Sequence, residues 1–157
     1  MFTVGVKIIM KKYNRGFTAG TYDMFHRGHL NLLKEAKKKC NYLIVGVNSQ
    51  NLVESYKKKS PLIEQEDRLE IINSIKYVDQ VVLMDTLDKR KAREMVEFDV
   101  VFIGDDWKGS ERWNETEMEL SKIGVEVCYL PYTSGISSTI LSQRIIRNEL
   151  NKKYHDL

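Results

Sequence analysis

Residues 20–29, Gly-Thr-Tyr-Asp-Met-Phe-His-Arg-Gly-His, follow a short apolar run and precede an amphipathic segment. This order predicts a strand, a glycine turn and the N-terminus of a helix. Free backbone N–H groups and the helix dipole at such an N-terminus favour an anionic ligand. Gly20 lets the backbone approach that ligand, and Gly28 loosens the turn before His29. We predict a phosphate site with His26 and His29 as donors; a helix cap or a chance surface pair is the alternative.

The rest of the chain alternates short β-rich runs with segments of helical periodicity, which predicts a parallel sheet with crossover helices. We expect five strands, at 16–20, 42–48, 80–84, 100–103 and 125–130. Helices are expected after residue 29, around 69–75 and 92–96, over 115–122 before Gly124, and from 138 to about 150. The predicted fold is α/β: a doubly wound, Rossmann-like five-stranded parallel sheet with helices on both faces. Ligands of such sheets lie beyond the carboxyl ends of the strands, at the switch point. Four polar residues follow predicted strand ends: His26, Asn48, Asp105 and Tyr132.

Length, charge and cysteine content narrow the class of protein. With 157 residues we predict a single domain over 1–157, with residues 1–14 as an N-terminal extension. The 25 Lys and Arg against 22 Asp and Glu give a net charge of +3, too weak for a nucleic-acid surface. Cys40 and Cys128 lack Cys-x-x-Cys and zinc spacing, which favours buried thiols in a reducing compartment. The first ten residues make a poor signal peptide and no run reaches membrane-spanning length, so we expect a cytoplasmic protein without a membrane partner.

A second polar loop precedes the last predicted helix. Gly135 supplies backbone freedom there, and three hydroxyl residues open the helix, where hydroxyl and N–H groups bind phosphate oxygens: Ser137, Ser138 and Thr139. Ordinary N-capping is the alternative, and it accounts for one of the three hydroxyls. The sequence has no Gly-x-Gly-x-x-Gly and no Gly-x-x-x-x-Gly-Lys-Ser/Thr motif, which disfavours a Rossmann dehydrogenase and a P-loop NTPase.

Four stretches in order resemble the cytidylyltransferases of the nucleotidyltransferase superfamily. They are the His-x-Gly-His element after Gly-Thr-x-Asp, Lys76-Tyr-Val-Asp-Gln-Val81, Gly104-Asp-Asp-Trp107 and Thr133-Ser-Gly-Ile-Ser-Ser-Thr139. The third is most similar to that of the glycerol-3-phosphate branch. The resemblance implies an enzyme that transfers CMP from CTP to a small phosphorylated alcohol and releases pyrophosphate. Glycerol 3-phosphate is the leading candidate for that acceptor. The resemblance also implies a homodimer with 76–81 as the candidate contact region. Because a triphosphate rarely reacts without a shielding cation, we further expect Mg²⁺ with CTP, for which we assign no protein ligand.

The same resemblance gives candidate roles to individual side chains. The catalytic candidates are His26 and His29, as donors to the α-phosphate. The candidate nucleotide contacts are Thr21, Tyr22, Lys59, Asp106, Tyr132, Thr133, Gly135, Ile136, Ser137, Ser138 and Thr139. The candidate acceptor contacts are Asp23, Lys57 and Arg68, with one of Lys89, Arg90 and Lys91 as a further contact. The lysine assignments need a one-residue gap in the alignment.

Each of these assignments has a simpler alternative. In these alternatives, Lys57 and Lys59 would be ordinary charges of a solvated loop, Arg68 would be a surface arginine, and Asp106 would be part of a turn. Trp107 is expected to pack rather than to stack on a base.

Two positions depart from the family pattern. Tyr132 stands where many relatives have arginine, and Lys76 keeps the charge of an arginine without its bidentate fork. The change at 132 leaves three options: a lysine compensates, CTP affinity is lower, or the acceptor is not glycerol 3-phosphate. The alternative functions are a phosphoethanolamine or phosphocholine cytidylyltransferase, an adenylyltransferase of the same fold, and a non-catalytic nucleotide-binding protein. A cationic acceptor could use the aromatic rings of Tyr132, Trp107 and Trp113.

Overall fold

The computed structural model describes residues 10–155, and the side chains of residues 10–153. Five strands are formed: β1 (Tyr13–Gly20), β2 (Cys40–Asn48), β3 (Gln80–Met84), β4 (Val100–Gly104) and β5 (Glu126–Leu130). Six α-helices accompany them within the described range: α1 (Arg27–Lys39), α2 (Gln50–Lys57), α3 (Gln65–Asn73), α4 (Lys89–Met95), α5 (Glu111–Ser121) and α6 (Ser138–His155). A 3-10 turn, Asp105–Trp107, directly follows β4. No helix in the described part of the chain has the length and apolar character needed to cross a membrane.

The strands pair in the order β3-β2-β1-β4-β5, and every pairing is parallel. The chain winds outward from β1 to β3 and then returns to the other side of β1 for β4 and β5. This confirms the predicted doubly wound sheet and places its switch point between the carboxyl ends of β1 and β4.

Both faces of the sheet are covered, as the alternation along β2 requires. Leu43, Val45 and Val47 pack with α1 and α3 on one face, whereas Ile44 packs with α4 and α5 on the other. The fully buried aliphatic residues of β2 give it the near-continuous apolar run of a central parallel strand.

The boundaries differ from the sequence-based expectations in a few places. Strand β1 begins at Tyr13, so residues 13 and 14 belong to the sheet rather than to an extension. Residues 1–9 of the expected extension lie outside the described residues. The larger difference is α2, which was expected to be a loop near Lys57. This helix has one buried side chain, Val53, and is capped by Ser49, whose Oγ accepts the Leu52 N–H at 3.2 Å. With so little buried surface, it leaves almost no periodic signal in the sequence.

Candidate active site

The two histidines open α1 and fix each other's orientation. Nδ1 of His26, the N-cap residue, accepts the Gly28 N–H at 3.0 Å, and Nδ1 of His29 accepts the His26 N–H at 3.3 Å. The rings stack with centroids 3.8 Å apart and an interplanar angle of 21°. Because Nδ1 accepts a hydrogen bond in both rings, the neutral form of each carries its proton on Nε2. Two Nε2–H donors are thereby made available side by side at a helix N-terminus.

Burial keeps both rings uncharged. It lowers the pKa of His29 to about 4, with the neighbouring His26 adding to the effect, and it also lowers the pKa of His26. At neutral pH the pair therefore offers hydrogen-bond donors but no positive charge. Any cation that the site uses against phosphate comes from other groups.

Two cavities meet at His29, one of about 580 Å³ and one of about 250 Å³, and His26 lines the smaller one. The residues that line both are Thr21, Tyr22, His29 and Ser138. The shared wall lies beyond the carboxyl end of β1, where the fold predicts a ligand site. A molecule in one cavity can thus meet a molecule in the other beside the imidazoles.

The smaller cavity lies between α1, the end of β4 and the loop before α6. Of the aspartates after β4, Asp105 is structural, because its Oδ1 accepts the Tyr132 N–H at 3.0 Å. Asp106 lines the cavity instead. A Cβ at Gly104 would lie 2.4 Å from Oδ1 of Asp106, so only glycine lets this carboxylate lie against the main chain. Trp107 is 46% exposed and lines the same cavity, so the expectation that it packs was wrong. The 3-10 turn holds it at the mouth.

The loop before α6 gives its hydroxyls three different surroundings. Ser137 caps the helix, its Oγ accepting the Ile140 N–H at 3.1 Å, while Ser138 donates to the main-chain oxygen of Asp23 at 2.8 Å. Thr139 lines the larger cavity. Gly135 takes a φ of +80°, a conformation that favours glycine. The capping alternative therefore describes one of the three hydroxyls.

The rest of this loop faces the smaller cavity, which Tyr132, Thr133 and Ile136 all line. The Asn31 side-chain amide donates to the Thr133 hydroxyl at 3.0 Å. This bond ties α1 to the loop, and sequence reasoning missed it because the two residues are 102 positions apart.

Lys57 and Lys59 line the larger cavity and Lys58 does not. Lys58 is the C-cap of α2 in the left-handed conformation, with φ 53° and ψ 26°. Nζ of Lys57 donates to Oγ1 of Thr21 at 3.3 Å, which places its charge at the wall that the two cavities share. The Tyr56 hydroxyl lies 3.2 Å from the same Thr21 oxygen, a contact that the sequence did not indicate.

Asp23, in the turn before His26, binds the segment that follows Lys59. Its two carboxylate oxygens accept the main-chain N–H groups of Leu62 and Ile63, each at 2.9 Å. Asp23 also lines the larger cavity. Because both oxygens are engaged by the loop, its evident contribution is to position the segment that carries Lys59.

Arg68 is fully buried, so the surface alternative was wrong. Its guanidinium donates to the main-chain oxygens of Ile63 at 3.0 Å, and of Thr21 and Asn48 at 2.8 Å. Its Nη2 has no hydrogen-bond partner among the described residues. Arg68 is absent from the described lining of both cavities and lies behind the wall, where it joins three segments of the site.

The three basic residues of α4 stand apart from both cavities in the described lining. Lys89 and Arg90 line a separate cavity of about 200 Å³ with Arg112 of α5. Nζ of Lys89 donates to the Leu87 oxygen at 3.0 Å, and burial lowers its pKa to about 8. Lys91 is exposed. Among the described residues there is also no group of three or more His, Cys, Asp or Glu that could hold a metal ion.

A doubly wound sheet whose switch point carries paired imidazole donors, a hydroxyl-rich helix start and two lysines defines a nucleotide-binding α/β protein equipped for phosphate chemistry. The sequence pattern of the family described as cytidylyltransferase-like matches residues 17–144, and the chain belongs to this family. It is a cytidylyltransferase-like nucleotidyltransferase, as the resemblance predicted.

Individual relatives span most of the chain. It is 34% identical over 130 residues to glycerol-3-phosphate cytidylyltransferase of Bacillus subtilis (strain 168), covering 82% of this chain and 94% of that protein. It is 32% identical over 136 residues to FAD synthase of Korarchaeum cryptofilum (strain OPF8), covering 85% and 92%. Among solved structures, the lipopolysaccharide core biosynthesis protein from Thermoplasma volcanium GSS1 superposes with a TM-score of 0.64 at 29% identity, covering 77% and 97%.

Proposed function

We propose that the protein transfers CMP from CTP to a small phosphorylated alcohol, with glycerol 3-phosphate as the first acceptor, and releases pyrophosphate. The observation that carries this proposal is the pair of neutral imidazole donors, with His29 at the wall between the two cavities and His26 beside it in the smaller one. Likeness to glycerol-3-phosphate cytidylyltransferase supports the choice of CTP and acceptor. Likeness to FAD synthase is the reason to test ATP and larger phosphomonoesters as well.

The reaction needs little acid–base chemistry. The second pKa of a phosphomonoester is about 6, so the acceptor is largely dianionic at pH 7 and attacks without a general base. Its oxygen bonds to the α-phosphorus of CTP while the bond to the bridging oxygen of pyrophosphate breaks. His26 and His29 donate to the α-phosphate oxygens as negative charge redistributes, and the first amides of α1 support them. One such preorganised donor typically lowers the barrier by about 3 kcal/mol.

We assign the nucleoside to the smaller cavity. Three aromatic side chains supply ring surface there: Tyr22, Trp107 and Tyr132. Thr133 and Ile136 bring the loop before α6 beside them. Mg²⁺ accompanies the triphosphate, where it neutralises phosphate charge. Phosphate oxygens would hold most of its coordination sphere, which suits a site without a three-residue ligand cluster in the described chain, and Asp106 is the carboxylate of the smaller cavity.

We assign the acceptor phosphate to the larger cavity, beside Lys57, and we assign Lys59 of the same cavity to the triphosphate of CTP. The bond from Lys57 to Thr21 holds one ammonium group at the shared wall. Thr139 and Ser142 of α6 line the same cavity and add hydroxyl groups. In this assignment the attacking oxygen approaches His29 from the larger cavity, while the nucleoside lies in the smaller one.

The test is pyrophosphate release from CTP, ATP, GTP and UTP, each paired with glycerol 3-phosphate, phosphoethanolamine, phosphocholine and riboflavin 5′-phosphate. We expect pyrophosphate release with CTP and a phosphorylated alcohol whose alcohol part carries no charge. Release with ATP alone would make the protein an adenylyltransferase. Nucleotide binding, followed by the fluorescence of Trp107, without release for any pair would leave a non-catalytic binding protein. A Trp107→Phe variant identifies the signal of that residue against Trp113.

A further inference from the structure

Three exposed aliphatic side chains converge on the cavity that also contains the lysines. Leu62 is 65% exposed, Ile145 53% and Ile146 60%, and all three line the larger cavity. We call them the apolar wall. Leu62 comes from the segment between α2 and α3, and the two isoleucines come from α6, so two separate elements place apolar surface beside one phosphate site.

Asp23, in the turn before His26, binds both elements that carry the apolar wall. Asp23 accepts the Leu62 N–H at 2.9 Å with its carboxylate and the Ser138 hydroxyl at 2.8 Å with its main-chain oxygen. The face of α6 toward the cavity runs through residues 138, 139, 142, 145 and 146, the spacing of one helix stripe. Leu150 of the same helix is 50% exposed but does not line the cavity. Leu62, Ile145 and Ile146 thus line the site, whereas Leu150 continues the exposed apolar surface of α6 outside the cavity.

Phosphate groups gain nothing from such a wall, because contact with aliphatic carbon removes water from an anion without replacing its hydrogen bonds. Glycerol, with a polar oxygen on every carbon, offers it little apolar surface. Hydrocarbon or ring surface does gain, at about 25 cal/mol for each Å² removed from water. The cavity volume of about 580 Å³ lies in the range that holds ligands much larger than three carbons.

We infer that the acceptor is a phosphomonoester whose alcohol part has a continuous apolar face longer than three carbons. Its phosphate binds at Lys57 and its apolar face lies on Leu62, Ile145 and Ile146. This inference rests on the proposed function and narrows its substrate class: glycerol 3-phosphate is used, but less efficiently than a phosphomonoester with more apolar surface.

A homologous series of acceptors tests the wall directly. Methyl, propyl, butyl and hexyl phosphate share the attacking group, so differences in kcat/KM with CTP report contact along the chain. A fully buried methylene contributes about 0.8 kcal/mol, so kcat/KM should rise up to about fourfold for each added carbon until the wall is covered. Hexyl phosphate should exceed glycerol 3-phosphate.

Variants of α6 supply the matched comparison. Ile145→Ser and Ile146→Ser should each lower kcat/KM for hexyl phosphate about tenfold and flatten the dependence on chain length. Leu150→Ser removes an equally exposed aliphatic residue from the same helix and should leave the series unchanged. All three positions are exposed, so each variant is expected to fold, which circular dichroism checks.

Three results would overturn the inference. If the protein uses methyl phosphate or glycerol 3-phosphate but kcat/KM does not change with chain length, the inference about the apolar wall is refuted while the proposed transferase activity stands. If none of the acceptors supports pyrophosphate release, both the proposed function and the inference about the apolar wall are refuted. Conversion of a dimer to a monomer by both Ile146→Ser and Leu150→Ser, seen by light scattering, assigns the apolar residues to a subunit contact.

Discussion

Replacement of Gly28 by alanine should separate catalysis from stability in this protein. A Cβ at this position would lie 2.8 Å from Cε1 and 3.0 Å from Nδ1 of His26, within the same turn that orients the ring. The His26 ring must move about 0.6 Å to reach an ordinary contact distance of 3.4 Å. A displacement approaching 1 Å of a catalytic group can cost about a hundredfold in rate, so we expect kcat to fall roughly ten- to a hundredfold. Gly28 lies in the first turn of α1 without a positive φ, so alanine fits its backbone conformation, and the loss of activity should not be accompanied by a comparable loss of stability.

Pyrophosphate release gives kcat and KM, and urea unfolding gives the free energy of unfolding. Gly124→Ala is the matched control, since Gly124 has φ +74° and a Cβ there meets no atom within 4 Å among those described. It should cost about 1 kcal/mol of stability through backbone strain and leave kcat unchanged. Wild-type turnover in Gly28→Ala would show that the position of the His26 ring does not limit the reaction.

Four further results are expected. His26→Ala and His29→Ala should each lower kcat about a hundredfold in a folded protein, and near-normal turnover would refute their role as donors. Lys57→Ala should weaken use of the acceptor and Lys59→Ala use of CTP, by one to two decades in kcat/KM, while Lys58→Ala stays within about 0.5 kcal/mol; equal small effects at all three would leave a solvated loop.

The pKa of His29 is about 4 in the folded protein, below that of the unfolded chain, so the unfolded state binds more protons between pH 4 and 6.5. Stability should fall by about 2 kcal/mol from pH 7 to pH 5, and His29→Gln should remove most of this dependence; an unchanged pH dependence in the variant would contradict it. Light scattering should give a mass near twice 18.4 kDa, and a monomer at micromolar concentration would exclude the expected homodimer.

The fold was predictable because its strands are short apolar runs that can be recognised locally in the sequence. The expected bounds of β3 coincide with the observed ones, and β2 was expected to begin two residues later than it does. Helix α2 was missed because eight mostly polar residues with a single buried side chain carry almost no periodicity. Its end is set by Lys58 in the left-handed conformation, which a lysine-rich stretch does not announce.

The site was predictable only where it is local. His26, Gly28 and His29 form their hydrogen bonds within four residues, so the sequence contains the whole arrangement. Arg68 and Asp23 behave differently, because the hydrogen-bond partners of their side chains lie as far as 47 and 40 positions away along the chain. A buried arginine that binds main-chain oxygens has the same residue type as one that binds phosphate. Only tertiary structure separates the two.

The distribution of charge explains why the lysines belong to both substrates in the proposed reaction. The histidines are neutral at pH 7 and Tyr132 contributes no cation, so the positive charge in the lining of the two cavities comes from Lys57 and Lys59. Both belong to the larger cavity, whereas the nucleoside is assigned to the smaller one. The triphosphate of CTP must therefore extend past the histidines to reach a lysine, which brings it to the acceptor phosphate and creates repulsion between two anions. The family resemblance suggested Lys57 for the acceptor and Lys59 for CTP; because Lys58 between them caps α2 and is absent from the described lining, the two lysines can neutralise one anion each in the proposed reaction.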